Sequence, residues 1–210
     1  MDSTPIIQEA VRILREGGVI LYPTDTVWGI GCDATNEKAV SRVFEIKRRS
    51  EAKSLVLLAC DLDMVAKYIR QIPSIAIDLV EVNDAPMTII YPGAQYLAPN
   101  AVAEDGSVGI RIPLVPEEEE EEAPRKAAPK GNLTAGAFCR ELVRRLRHPL
   151  VSTSANISGE PTPATFAEIP EEIKAAVDYV VPKPFGNGAT GRSSQIIKLG
   201  LGGEVEILRP

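Results

Sequence analysis

Two periodicities alternate along the whole chain, and that alternation limits the fold more than any other feature. Short apolar runs bounded by turn residues, which suit buried strands, are separated by stretches whose apolar side chains recur at helical spacing. In "TPIIQEAVRILREGG" Ile6, Ala10, Ile13 and Leu14 share one helical face, with Pro5 near the start and Gly17-Gly18 as the stop. "GVILYPTDT" predicts a buried strand running into polar residues. "NEKAVSRVFEIKRR" predicts a second helix, with Val40, Val43, Phe44 and Lys47 at i, i+3, i+4 and i+7. "KSLVLLAC" predicts a strand, and helices follow over 61–70 and 74–82, with Asp61 and Ser74 as N-caps. "MTIIY", "SVGIRIP" and "PLVST" read as strands, "LTAGAFCRELVRRLR" as a helix capped by Thr134, and "PEEIKAAV" as a helix begun by Pro170. "DYVV", "SSQIIKL" and "EVEILRP" complete the strands, the last two forming a hairpin across "GLGG". No period repeats and no second compositional regime appears. The expectation is one α/β domain over residues 1–210, with a twisted mixed parallel and antiparallel sheet and flanking helices.

Composition narrows the function classes. A chain of 210 residues, 44% of them hydrophobic, is long enough to bury roughly 70% of its unfolded surface. No apolar run reaches the ~18 residues a membrane span needs. The amphipathic N-terminal stretch has neither a basic n-region nor an apolar h-region, so no signal peptide is expected. Cys32, Cys60 and Cys139 are odd in number and far apart, which favours a reducing compartment and a cytoplasmic address. With His148 the single histidine and no C-x-x-C, no zinc site is expected.

The net charge of −6 is carried by one segment, since Glu117 to Glu122 are six consecutive acids and the remainder of the chain is neutral. They lie within "PLVPEEEEEEAPRKAAPKGN", where Pro, Ala and like charge leave too little apolar surface for order. A disordered acidic insertion over about 114–132 is therefore expected.

Four polar clusters stand out. "YPTDTVWGIG" sets Thr24, Asp25 and Thr26 where a buried strand ends, the place where open α/β sheets bind ligands; the same residues also suit a turn with Asx and Ser/Thr capping. "KRRSEAK" places Lys47, Arg48, Arg49 and Lys53 at a helix end, where the macrodipole alone favours cations. Lys47, however, falls on the apolar stripe, and an inward ammonium needs a partner or a cavity. "GNGATGRSS" satisfies G-x-G-x-x-G and misses the Walker A pattern only at Arg192. Both motifs require a following helix; a strand-like run follows instead, so a glycine-rich turn presenting Ser193 and Ser194 is the reading. Finally, "STSANISG" packs neutral hydroxyls and an amide just past a strand, more groups than a helix cap uses. Small donors in such density suit a ligand rich in acceptors, such as a nucleotide phosphate.

Taken in order, "GGVILYPTDTVWG" at 17–29, Lys47-x-Arg49, Arg111-Ile-Pro, "STSANISG" at 152–159, "GRSSQII" at 191–197 and the closing "ILRP" resemble the YrdC-like threonylcarbamoyl-AMP synthase family over nearly the whole chain. The resemblance implies a concave, positively charged cavity and condensation of L-threonine, bicarbonate and ATP to threonylcarbamoyl-AMP and pyrophosphate, with Mg²⁺ accompanying the ATP. The product would serve N6-threonylcarbamoylation of the adenosine beside the tRNA anticodon, with tRNA or tRNA-modification proteins as downstream partners. It also implies roles. Lys47, Arg49, Ser154 and Asn156 form the catalytic core; Lys47, Arg49, Lys53, Asn156 and Arg209 contact ATP; Thr26, Arg111, Ser154 and Ser194 contact threonine.

This chain departs from the family pattern at Trp28 (usually tyrosine, a stacking wall), at Ser50 after Lys-x-Arg, and in "VNDAPMT" at 82–88, where a Trp-Pro-Gly-Pro turn is usual. Two other classes stay open: an RNA-binding module on the same fold, against which stands the lack of a basic stripe, and adenylation of a different carbamate.

Overall fold

A computed structural model describes residues 3–50, 55–115, 133–182 and 189–210. Among the described residues, six α-helices (α1 Ser3–Arg15, α2 Glu37–Ile46, α3 Leu62–Tyr68, α4 Ser74–Glu81, α5 Ala135–Leu146 and α6 Glu171–Ala176) flank the strands. These are β1 Ile20–Tyr22, β2 Gly29–Gly31, β3 Val56–Leu58, β4 Met87–Tyr91, β5 Val108–Arg111, β6 Leu150–Ser154, β7 Tyr179–Val180, β8 Gln195–Leu199 and β9 Val205–Arg209. They form one sheet in the order β7-β1-β2-β6-β3-β5-β4-β8-β9. Pairs β1/β7, β3/β5 and β4/β8 are parallel and the remainder antiparallel, so the sheet is mixed as expected.

Strand parity explains the layering, because successive side chains point to opposite faces. Leu57, Ile89, Ile110 and Val151 face one core, packed with Val40, Val43 and Phe44 of α2, Val65 of α3 and Ala76 of α4. Leu58, Leu150, Ile20 and Tyr22 face the other way, into a second core with Ile7, Val11 and Leu14 of α1 and Phe138, Leu142 and Leu146 of α5. Further along that second face the strands carry Val56, Thr88, Ile90, Gly109, Arg111, Ser152 and Ser154, and there the face opens into a cavity. One half of the face is helix-covered; the other half lines the cavity.

Several local expectations are refined. On α1 the fully buried positions are Ile7, Ala10, Val11 and Leu14, while Ile6 and Ile13 are only half-buried. The contact with α5 and β1, not the sequence stripe, chooses the centre of that face. Asp61 caps α3 by accepting from Met64 N–H at 2.8 Å, and Thr134 caps α5 from Ala137 N–H at 3.4 Å. Ser74 does not cap α4; it is the first helical residue, and Pro73 occupies the N-cap without a side-chain bond. The acidic run 117–122 and residue Lys53 lie outside the described residues. The three cysteines are buried and free. Among the described residues no helix is long and apolar enough to cross a membrane.

The strand β2 gives no sequence signal, since Gly-Ile-Gly offers a single side chain to read. Its glycines let β6 and Tyr22 approach closely. A Cβ on Gly31 would sit 2.2 Å from the Val151 carbonyl oxygen and 2.8 Å from the Tyr22 ring. Gly31→Ala is accordingly expected to destabilise the fold by about 2 kcal/mol or more, as forced overpacking does. A urea titration with an unchanged midpoint would show that this contact relaxes freely.

Candidate functional site

Lys47 closes α2 with its backbone N–H on Val43, and its side chain runs inward with only 2% exposure. Its Nζ donates to the carbonyl of Ser154, to the carbonyl of Asn156 at 2.8 Å and to Asn156 Oδ1 at 3.4 Å. Its own carbonyl accepts from Ser158 N–H at 2.9 Å. The turn after β6 is fixed from within as well: Ser154 Oγ donates to Asn156 Oδ1 at 2.5 Å, and Asn156 Nδ2 donates to the Ile157 and Glu160 carbonyls at 3.1 and 2.6 Å. Lysine and turn form one assembly. Burial, and after it the neighbouring Arg49 guanidinium, push the Lys47 ammonium down to about 8. Burial also draws Arg49 below the ordinary arginine value.

The cavity holds about 350 Å³ and is lined by Thr24, Thr26, Arg49, Thr88, Arg111, Ser152, Thr153, Ser154, Ser193, Ser194 and Arg209, with Gly29 and Gly109 in its floor. Three guanidiniums therefore face a wall of neutral hydroxyls. Among the described lining residues none is a carboxylate.

Each cation is held by a different device. Arg111 is buried, its Nη1 paired with Asp25 Oδ1 and its Nη2 donating to Thr26 Oγ1 at 3.3 Å. Thr24 and Thr26 share a hydroxyl contact of 2.8 Å, and Thr24 donates to the Val27 carbonyl at 2.7 Å. Arg209, from the edge strand β9, donates through Nε to the Ser194 carbonyl at 2.8 Å. Ser194 Oγ lies 2.7 Å from Thr88 Oγ1. The unusual stretch 82–88 thus still delivers Thr88 to the floor, helped by Gln195 N–H on the Pro86 carbonyl at 2.8 Å. Gly191 turns at φ +69°, which favours glycine, and β8 rather than a helix follows it.

Of the residues singled out from sequence, Thr26, Arg49, Arg111, Ser154, Ser194 and Arg209 come together on the cavity wall. Lys47 and Asn156 sit just behind it, and Lys53 lies outside the described residues. Trp28 is not part of the wall; it packs edge-on against Phe166, with ring centroids 4.8 Å apart. Sequence reasoning gave Thr88 no role, and it named Thr24, Asp25, Ser152 and Thr153 only as members of polar clusters. Period-two parity with Arg111 and Ser154 marks Thr88 and Ser152 once pairing is known, but the pairing is tertiary.

A wider groove of about 670 Å³ lies between α1 and α5, lined by Arg12, Arg15, Arg144, Arg145 and Arg147. It is the basic surface that the linear sequence hid, assembled from segments far apart. Arg12 is paired with Glu9 and Glu16, and Arg144 and Arg145 with Glu141, so much of its charge is already neutralised. Buried cations, clustered hydroxyls and convergent strand ends all favour the smaller cavity as the site.

The comparisons agree with this geometry. Residues 12–118 and 132–210 match the Sua5/YciO/YrdC family model, described as "Telomere recombination". The chain is 31% identical over 198 residues to the threonylcarbamoyl-AMP synthase of Xanthomonas euvesicatoria pv. vesicatoria, covering 93% of this chain and 92% of that protein. It is 29% identical over 187 residues to the synthase of Nitrosococcus oceani, covering 89% and 87%. Among solved structures, E. coli YciO superposes with a TM-score of 0.72 at 22% identity, over 98% of this chain and 88% of that one. P. abyssi Sua5 complexed with L-threonine superposes with a TM-score of 0.74 at 24% identity, over 92% of this chain and 50% of that one, so this chain spans about half its length. The fold, the order of the motifs and the family match over most of the sequence lead to one conclusion: this chain belongs to the Sua5/YciO/YrdC family.

Proposed function

We propose that this protein is a threonylcarbamoyl-AMP synthase, condensing L-threonine, bicarbonate and ATP with release of pyrophosphate, for threonylcarbamoylation of tRNA. The observation that carries the reading is the cavity itself: Arg49, Arg111 and Arg209 surround hydroxyls, while the neighbouring carboxylate, Asp25, is committed to Arg111. The guanidiniums of Arg49 and Arg209 line the same cavity, which suits a polyanionic substrate. The relatives named threonylcarbamoyl-AMP synthase and the threonine-bound P. abyssi Sua5 support the amino acid.

In this reading Arg111, Thr26 and Ser194 hold the threonine, with the guanidinium on its carboxylate. Arg49, Arg209 and Lys53 contact the nucleotide, and Ser154 faces both substrates. Lys47 and Asn156 hold the turn that presents Ser154. The amine of threonine first takes up bicarbonate carbon as a carbamate, with loss of water. A carbamate oxygen then attacks the α-phosphorus; the new C–O–P bond forms as the bond to pyrophosphate breaks. Charge accumulates on phosphate oxygens throughout, so positioning and electrostatic stabilisation, without a covalent enzyme intermediate, do the catalysis.

The described lining offers no carboxylate to Mg²⁺. In this reading the ion enters on the nucleotide phosphates.

Pyrophosphate release from ATP and bicarbonate, with and without L-threonine and with L-serine as control, tests the proposal. Release that depends on threonine is expected. Release with serine or without amino acid would point to a different carbamate, and retention of tRNA without any release would put an RNA-binding role in its place.

A further inference from the structure

Thr26, Arg111 and Ser194, the residues given to threonine above, come from three separate segments: the turn after β1, the end of β5 and the turn before β8. Asp25 touches all three segments yet does not line the cavity. Its Oδ1 pairs with Arg111 Nη1, whose sister nitrogen Nη2 reaches Thr26. Its Oδ2 accepts from Leu114 N–H at 3.0 Å, which ties down the chain leaving β5. Its backbone carbonyl accepts from Thr190 N–H at 2.9 Å, and the Thr26 carbonyl accepts from Gly191 N–H at 2.9 Å. These last two bonds hang the turn carrying Ser193 and Ser194 on the same point. The residue is 2% exposed, so water does not compete for its carboxylate.

From this placement we propose that Asp25 is the positioning residue of the amino-acid subsite, setting the direction in which Arg111 offers its fork to the substrate carboxylate. The inference rests on the synthase reading. Its physical content is a matter of acceptors. A carboxylate has two oxygens and serves Arg111 and Leu114 together; an amide has one, and turns an NH₂ towards the other donor. With an asparagine at this position, either the guanidinium or the Leu114 backbone faces a donor and must move. A displacement of about 1 Å at a positioning contact costs on the order of 10²-fold in an aligned reaction.

The test compares L-threonine with L-threoninamide, which keeps the reacting amine and lacks the carboxylate charge. In the wild-type protein the ratio of kcat/KM for the two reads the contact to Arg111, and it does not depend on what fraction of a sample is folded. Asp25→Asn is expected to lower that ratio by about 10-fold or more, chiefly through KM for threonine, with KM for ATP within about threefold. An unchanged ratio overturns the role. Should Asp25→Asn not fold, Asp25→Glu carries the same test. It keeps the charge and both acceptors but shifts them by a methylene, and again an unchanged ratio overturns the proposal. A wild-type protein without threonine-dependent release would instead defeat the synthase reading, so the two failures are distinguishable.

Discussion

Arg49→Ala is expected to lower threonine-dependent pyrophosphate release by about 10²-fold or more, on the scale of losing one preorganised donor to developing phosphate charge. Arg49 lines the cavity together with the hydroxyls of β6, just past the end of the helix that also supplies Lys47. Its backbone N–H is fixed on the Phe44 carbonyl at 2.9 Å, so its direction of approach is set by the helix and not by the ligand. If the guanidinium acts on the transition state, kcat and kcat/KM fall together while the thermal midpoint stays near that of the wild type. A rise in KM for ATP at unchanged kcat would mean ground-state binding only. Near-normal turnover would remove Arg49 from the mechanism.

Lys47→Met is expected to have a double effect, on stability and on turnover. Methionine fills about the same space but donates nothing. The Ser154 and Asn156 carbonyls and Asn156 Oδ1 then lose their common donor beside the buried core. Leaving a buried acceptor unpaired costs about 1–3 kcal/mol, so a total on the order of 3 kcal/mol, or roughly a 6–12 °C drop in Tm, is expected. Turnover should fall by about 10²-fold as the turn carrying Ser154 moves. Lost turnover with an unchanged Tm would show that the ammonium meets the phosphates instead of the turn.

The titration of Lys47 offers a further check. Its folded value is about 8 against an ordinary 10.5, so between those two values the unfolded chain binds the proton that the folded chain has released. In that window stability contributed by this group rises with pH, and below about 8 the cost of keeping the charge buried is fully present. Activity should move the opposite way. The donor set that holds the turn needs the ammonium, so turnover should decline as pH rises through about 8. A flat profile from 7 to 10 would detach the proton on Lys47 from catalysis.

The linear sequence was informative wherever one segment carries its own reason. Asp61 and Thr134 are caps because a short side chain sits next to an apolar periodic run. Lys47 was marked as unusual by falling on the buried stripe of α2, and it is indeed among the most buried side chains. Other features left no local trace. The strand Gly29–Gly31 has one side chain and no alternation, and becomes a strand only because β1 and β6 flank it. Ser74 looked like a cap, but Pro73 had already set the entry to its helix.

The sequence by itself determined the class of fold, the order of the elements other than β2, and the motifs that place this chain in its family. Each of these follows from spacing within a few turns of helix or strand. Which half of the sheet is covered by α1 and α5 and which is left open was decided only by tertiary packing. So was the joining of Arg111 to Asp25 across 86 positions of sequence, and the gripping of Ser154 by Lys47 across 107. The reason is register. With a side-chain period of two, shifting one strand by a single residue would turn Arg111 or Ser154 to the opposite face, and only the full set of strand pairings holds them on the same one.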